Sequence, residues 1–204
     1  MDYRLYHSIN EIAEHHPWLG HVAATLETWS IPLVAGATFA LWLLARPGGA
    51  LKWKLACGSA LASAALALLV NQAIAHIWSR PRPYAAHADA SVFVARSHDP
   101  SFPSDHASAA FAIGVAVLCF DRLFGGIFLA AAVAIATGRV IAGVHYPADV
   151  LAGGLIGAAS ALLVVRFGRP LIERLVLVVQ RMTDPVMGWL WHGLGATRSS
   201  EASG

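Results

Sequence analysis

The sequence predicts an all-α membrane protein: a polytopic helix bundle of about five transmembrane helices, with short interfacial helices at the N- and C-termini. Three observations predict it. Hydrophobic types make up 57% of the 204 residues and charged types only 13%, too few charges to coat a soluble domain. Apolar stretches recur at close to the ~20 residues that cross a bilayer. Between them stand short clusters of Arg, Lys, Pro and Gly, which end helices and sit at membrane surfaces. The length suits a single domain over 1–204. A net charge of +2 gives no electrostatic reason to expect a nucleic-acid partner.

The elements follow in order. Residues 3–14 suit a short interfacial helix. The N-terminus is polar and His-rich, without the apolar core of a cleavable signal, so the first span is expected to serve as its own targeting signal. Thr28 to Ala45 is free of charge, with Trp29 and Trp42 near its ends, and Arg46-Pro47-Gly48-Gly49 stops it. Leu55 to Ser79 is the second span, ended by Arg80-Pro81-Arg82-Pro83. The polar segment 79–103 that follows is long enough to suggest a functional loop. Ser104 to Phe120, Leu123 to about Gly143, and Pro147 to Val165 are the third, fourth and fifth spans. Small residues such as Gly114, Gly153 and Gly157 allow close helix approach. From Arg166 onward charges alternate with Leu and Val, as in an interfacial amphipathic helix, and 196–204 reads as a disordered tail. Cys57 and Cys119 lie in apolar stretches and read as packing residues.

Orientation follows from the cations. Nine of the 14 Lys and Arg residues, including Arg46, Lys52, Lys54, Arg122 and Arg166, fall on one side of the spans, which the positive-inside rule makes cytoplasmic. The 79–103 segment and the N-terminus then face outward.

That alternation gathers Arg80 and Arg82, then Ser104, Asp105 and His106, then Arg139, and finally His145 and Asp149 at the outer face. Ionisable groups at membrane depth are costly and usually functional. Guanidinium forks match phosphate oxygens in pairs, so phosphoryl transfer is the chemistry this set suits. Ser104 reads as a helix N-cap, and the free N–H groups beyond it as a phosphate cradle. Asp149, four residues after His145, is placed to hold one imidazole nitrogen and leave the other free to attack. His106 is then the general acid for the leaving group.

The stretches Arg82-Pro83, Pro103-Ser104-Asp105-His106, and Arg139 through His145 to Asp149 resemble the three signature motifs of the type-2 phosphatidic acid phosphatase superfamily. More narrowly, Ser79–Tyr84, Ser101–His106 and Gly143–Val150 are similar to bacterial undecaprenyl-diphosphatases of the bacitracin-resistance type, over roughly residues 3–185. The resemblance implies a metal-independent hydrolase without cofactor in the bacterial inner membrane, its site facing the exterior and acting on a polyprenyl diphosphate. It implies attack by His145 on the terminal phosphorus to give a phosphohistidine. Arg82, Arg139, Ser104 and backbone amides near His106 stabilise the phosphate oxygens, and His106 protonates the leaving lipid phosphate. Two positions depart from the superfamily pattern. Its first motif often carries Lys where this chain has Ala75, a charge that Arg80 is in place to supply. Its second often has Gly where Asp105 stands, as in the diphosphatase subgroup.

Each residue also has a plainer role. Arg80 suits a headgroup anchor, Asp105 a complement to the helix dipole, and Asn71, Gln72 and His76 interhelical hydrogen bonds. Three rival functions exist. Another lipid phosphate, such as phosphatidylglycerophosphate, lipid A phosphate or phosphatidic acid, fits the same motifs. A phosphate or lipid transporter needs a charged route to the inner face, which no mid-span residue offers. A haem-binding electron carrier leaves the arginines unexplained. No sequence feature sets an oligomeric state.

Overall fold

A computed structural model describes residues 2–44 and 51–200, so the expected stop at Arg46–Gly49 lies outside the described residues. Among these no strand occurs. The helices are α1 (Asp2–His15), α2 (Pro17–Leu44), α3 (Leu51–Ile77), the single turn α4 (Pro83–Ala86), α5 (Asp105–Leu118), α6 (Arg122–Ile141), α7 (Pro147–Leu163) and α8 (Arg169–Ser200). A π-helical stretch, Val164–Gly168, joins α7 to α8. Local chemistry sets several starts. The Asp121 side chain caps α6 by accepting from Leu123 N and Phe124 N, both at 3.1 Å. Pro147 opens α7, where its missing N–H costs nothing.

Among the described residues, α2, α3, α6 and the run 147–183 are each long and apolar enough to cross a membrane. The exception is the third expected span, 104–120. It forms the 14-residue α5, ~21 Å long at 1.5 Å per residue and short of a ~30 Å hydrocarbon core. The reason lies in its surroundings. α5 packs on α3, α6 and α7, and its Ala110, Ile113, Ala116 and Val117 meet Phe128, Ala132 and Ile135 of α6 and Ala161 of α7. A helix enclosed by others buries its apolar surface against them, and α5 still leads from the cavity end, at His106, toward the Asp121 end of the bundle.

The contact between α5 and α7 depends on glycine. A Cβ on Gly153 would stand 2.6 Å from the Ser104 carbonyl oxygen, and one on Gly157 would overlap the carbonyl of Ser108. This contact brings the starts of α5 and α7 together.

The chain termini differ from expectation in how they pack. α1 turns Tyr6, Asn10 and Ala13 inward, an i, i+4, i+7 stripe. Asn10 Nδ2 donates to Ser91 O at 3.0 Å and Ile141 O at 3.2 Å, so α1 straps the segment near residue 91 to the end of α6. The fifth span, expected to end at Val165, continues through the π-helical stretch into α8. Ile172 and Val176 of α8 then pack on Leu55 and against Gly58 of α3. α8 also takes in residues 196–200 of the expected tail, and 201–204 lie outside the described residues. Lys54, expected in the connector before the second span, lies inside α3 and is buried, its Nζ 5.7 Å from the Trp42 ring.

The alternation of helices leaves Lys52 paired with Asp121 at 2.9 Å at one end of the bundle. The ends of α3, α6 and the starts of α5 and α7 meet at the other.

Candidate active site

At that second end a cavity of about 390 Å³ opens among α2, α3, α5 and the loop 95–103. Arg82, Asp105, His106, Arg139 and His145, expected together from sequence, all line it. So do Glu27 of α2 and Ala75 of α3.

His145 sits in the short bend between α6 and α7, 2% exposed. The bend turns at Gly143, whose φ of +84° disfavours other residues, and a Cβ there would overlap the Ser91 carbonyl oxygen. The imidazole touches two partners that fix its tautomer. Nδ1 lies 2.7 Å from the Ser101 carbonyl oxygen, which only accepts, so Nδ1 carries the proton. Nε2 lies 2.9 Å from Arg139 Nη2, which only donates, so Nε2 carries the lone pair. Burial, assisted by Arg139 and Arg82 and opposed by Asp149, pushes the His145 pKa down to about 4. The ring is therefore neutral and nucleophilic at neutral pH.

Asp149 does not hold Nδ1 directly, as the i, i+4 spacing suggested. Its Oδ2 is 3.8 Å from Nδ1 and accepts instead from Ser101 Oγ at 2.5 Å and Tyr146 N at 2.8 Å. Residue 101 thus stands between the two: its carbonyl holds the imidazole while its hydroxyl holds the carboxylate. The reason is helical geometry, since Asp149 at the third position of α7 turns back to cap its own helix.

Arg80 is drawn the same way. Its Nη1 donates to Asp149 Oδ1 and its Nη2 to Asp2 Oδ2, both at 2.7 Å, with the guanidinium 3.8 Å above the Tyr146 ring. Asp2 Oδ1 also accepts from Ala148 N at 3.1 Å, so Arg80 and Asp2 together tie α1 to the start of α7. Arg80 lines a neighbouring cavity and not this one, so it does not replace the motif lysine absent at Ala75.

Arg82 points inward, with Nε donating to Asp99 O at 3.0 Å and Nη1 to Val144 O at 3.4 Å. Those bonds make the 95–103 segment one wall of the cavity. Tyr84 holds that wall too, donating to Ser97 O at 2.7 Å and accepting from Ser97 N at 2.8 Å. Asp105 accepts from Asn71 Nδ2 at 2.7 Å, joining α3 to α5 as the expected interhelical role of Asn71 requires. Ser104 precedes α5, fully buried, and its hydroxyl caps nothing and has no hydrogen-bond partner. A buried donor left so is costly unless something accepts from it.

Arg139 is 4% exposed and ion-paired with Glu27, and its Nε–H has no hydrogen-bond partner. Glu27 and Ser101 are the residues that the sequence reading missed. Glu27 precedes the expected first span by one residue, yet α2 begins ten residues earlier and carries it inside. Ser101 acts through its carbonyl as well as its hydroxyl, and no side-chain pattern reveals a carbonyl.

Comparison with known proteins shows the family. The PAP2 superfamily pattern matches residues 56–173, which hold α4 to α7 and every motif residue named above. The chain is 33% identical over 176 residues to YbjG of Escherichia coli strain K12, covering 84% of this chain and 86% of the relative. It is 27% identical over 187 residues to the undecaprenyl-diphosphatase BcrC of Bacillus subtilis strain 168, covering 90% and 94%. Among solved structures, the crystal structure of Aquifex aeolicus LpxE superposes with a TM-score of 0.63 at 21% identity, covering 81% of this chain and 95% of that one. At that identity the likeness concerns the fold alone.

Proposed function

The chain belongs to the PAP2 superfamily and is a membrane lipid phosphatase, and we propose that it hydrolyses undecaprenyl diphosphate to undecaprenyl phosphate at the outer face of the inner membrane. Such a reaction recycles carrier lipid for peptidoglycan synthesis. The name of the Bacillus subtilis relative supports this substrate. The observation that carries the chemistry is the tautomer of His145, with Nδ1–H on the Ser101 carbonyl and the Nε2 lone pair in the arginine-lined cavity.

In the proposed reaction Arg139 releases Nε2 and turns its N–H groups, with those of Arg82, to the terminal phosphate. Nε2 attacks phosphorus as the bridging P–O bond breaks. The electron pair leaves on the bridging oxygen, which His106 protonates, and the lipid monophosphate departs. Nδ1–H stays on Ser101, and the Asp149 carboxylate 3.8 Å away offsets the positive charge on the phosphorylated ring. Water then attacks the phosphohistidine, His106 takes its proton, the P–N bond breaks, and phosphate leaves. Arginines supply the cationic stabilisation, so no step calls for a metal. Ser104 Oγ and the amides at the start of α5 are further donors to the phosphate.

The test is a substrate panel with purified protein in detergent containing EDTA: undecaprenyl diphosphate, phosphatidylglycerophosphate, phosphatidic acid and a lipid A phosphate. The proposal expects fastest release from the polyprenyl diphosphate, unaffected by chelation. Faster turnover of another lipid, or rescue by added divalent metal alone, would overturn it.

A further inference from the structure

Glu27 stands out as the one Asp, Glu, Lys or Arg in α2, a helix otherwise apolar enough to cross a membrane. A carboxylate there is costly and calls for a partner. Its partner is Arg139, and among the described residues Arg139 has no other acid against it. Glu27 also lines the phosphate cavity, with a side chain 23% exposed.

We propose that Glu27 is a built-in rival of phosphate for Arg139, one that disfavours capture of free inorganic phosphate and speeds its release. The inference rests on the phosphatase reading above. Arg139 divides its guanidinium between the proposed nucleophile, at Nη2, and the ion-paired Glu27 carboxylate, at Nη1, and its Nε makes neither contact. A guanidinium already neutralised by a carboxylate attracts a second anion less, and two anions on one cation repel. Inorganic phosphate binds through charge alone, so it bears this cost in full. A lipid diphosphate carries a second phosphate and a buried tail, whose binding offsets the cost of displacing Glu27. Once the lipid has left, Glu27 returns to Arg139 and weakens the hold on the product.

The experiment measures the inhibition constant of inorganic phosphate against lipid diphosphate hydrolysis, in the unaltered protein, Glu27→Gln and Glu27→Asp. Removing the rival charge in Glu27→Gln is expected to lower that constant about tenfold, with a smaller fall in KM for the lipid. Glu27→Asp, which withdraws the carboxylate by one methylene, is expected to lower it less, and it keeps the test open if the Gln variant does not fold. An unchanged constant would overturn the proposal. So would a raised one, which would make Glu27 a support that merely positions Arg139. Thermal stabilisation of each protein by inorganic phosphate reads the same order without turnover. If the unaltered protein releases no phosphate from any lipid, the phosphatase reading fails, while this binding order still judges Glu27.

Discussion

His145 Nδ1 donates to the backbone carbonyl of Ser101 at 2.7 Å, while the carboxylate of Asp149 stays 3.8 Å away. The proposed nucleophile is therefore oriented by backbone, and Asp149 reaches it through residue 101 and through its charge.

Asp149→Asn keeps the shape but removes that charge and unpairs Arg80 from one of its two acids. It is expected to lower kcat on the order of 10²-fold with KM nearly unchanged, since the charge matters most once the ring is phosphorylated. Ser101→Ala leaves the carbonyl in place and is expected to cost less than about tenfold. Steady-state kinetics on both variants check the order; equal losses would contradict it.

Arg80 and Arg82 are predicted to differ although two residues apart. Arg82→Ala removes a proposed phosphate donor and is expected to lower kcat/KM by about 10²-fold or more, with little change in melting temperature. Arg80→Ala is expected to lower the melting temperature by several degrees, because the tie between Asp2, Tyr146 and Asp149 is lost. Arg80→Lys does not restore it, since an ammonium cannot bridge two carboxylates and lie flat on a ring in the same way. Thermal melts paired with kinetics separate the two roles.

The pH dependence follows from the His145 pKa of about 4, set by burial first and then by the two arginines. A free imidazole takes its proton near 6.5, so here the His145 ring stays neutral well below that pH. The acid limb of kcat/KM due to His145 is expected near pH 4 and not near 6.5. Stability carries the same sign. Below about 6.5 the unfolded ring binds a proton that the folded ring refuses until about 4, so stability falls as pH drops through that window. His145→Ala should flatten this part of the stability profile.

Gly143 turns the bend that presents His145. Gly143→Ala is expected to cost at least about 2 kcal/mol, from the positive φ and from overlap with the Ser91 carbonyl. A melting temperature within a degree of the unaltered protein would contradict this.

Much of this site was legible because its chemistry sits in side chains at helix ends. Arg82, His106, Arg139 and His145 flank apolar runs, and alternating spans must bring such ends together. The sequence groups Arg80 with Arg82 at the outer face, with a headgroup anchor as its plainer role, yet its direction depends on Asp2, 78 residues away, and on Asp149. α5 is shorter than the apolar run 104–120 suggested, because an apolar helix inside a bundle and one facing lipid have the same composition. Glu27 was excluded from the first span by its charge, which only Arg139, on a distant helix, makes tolerable.

The most direct test is to quench turnover of a diphosphate labelled in its terminal phosphate and map the label on the denatured protein. The account predicts an acid-labile, base-stable phosphoramidate on residue 145, absent from His145→Ala. Continued release of phosphate by that variant, or label on any other residue, would contradict it.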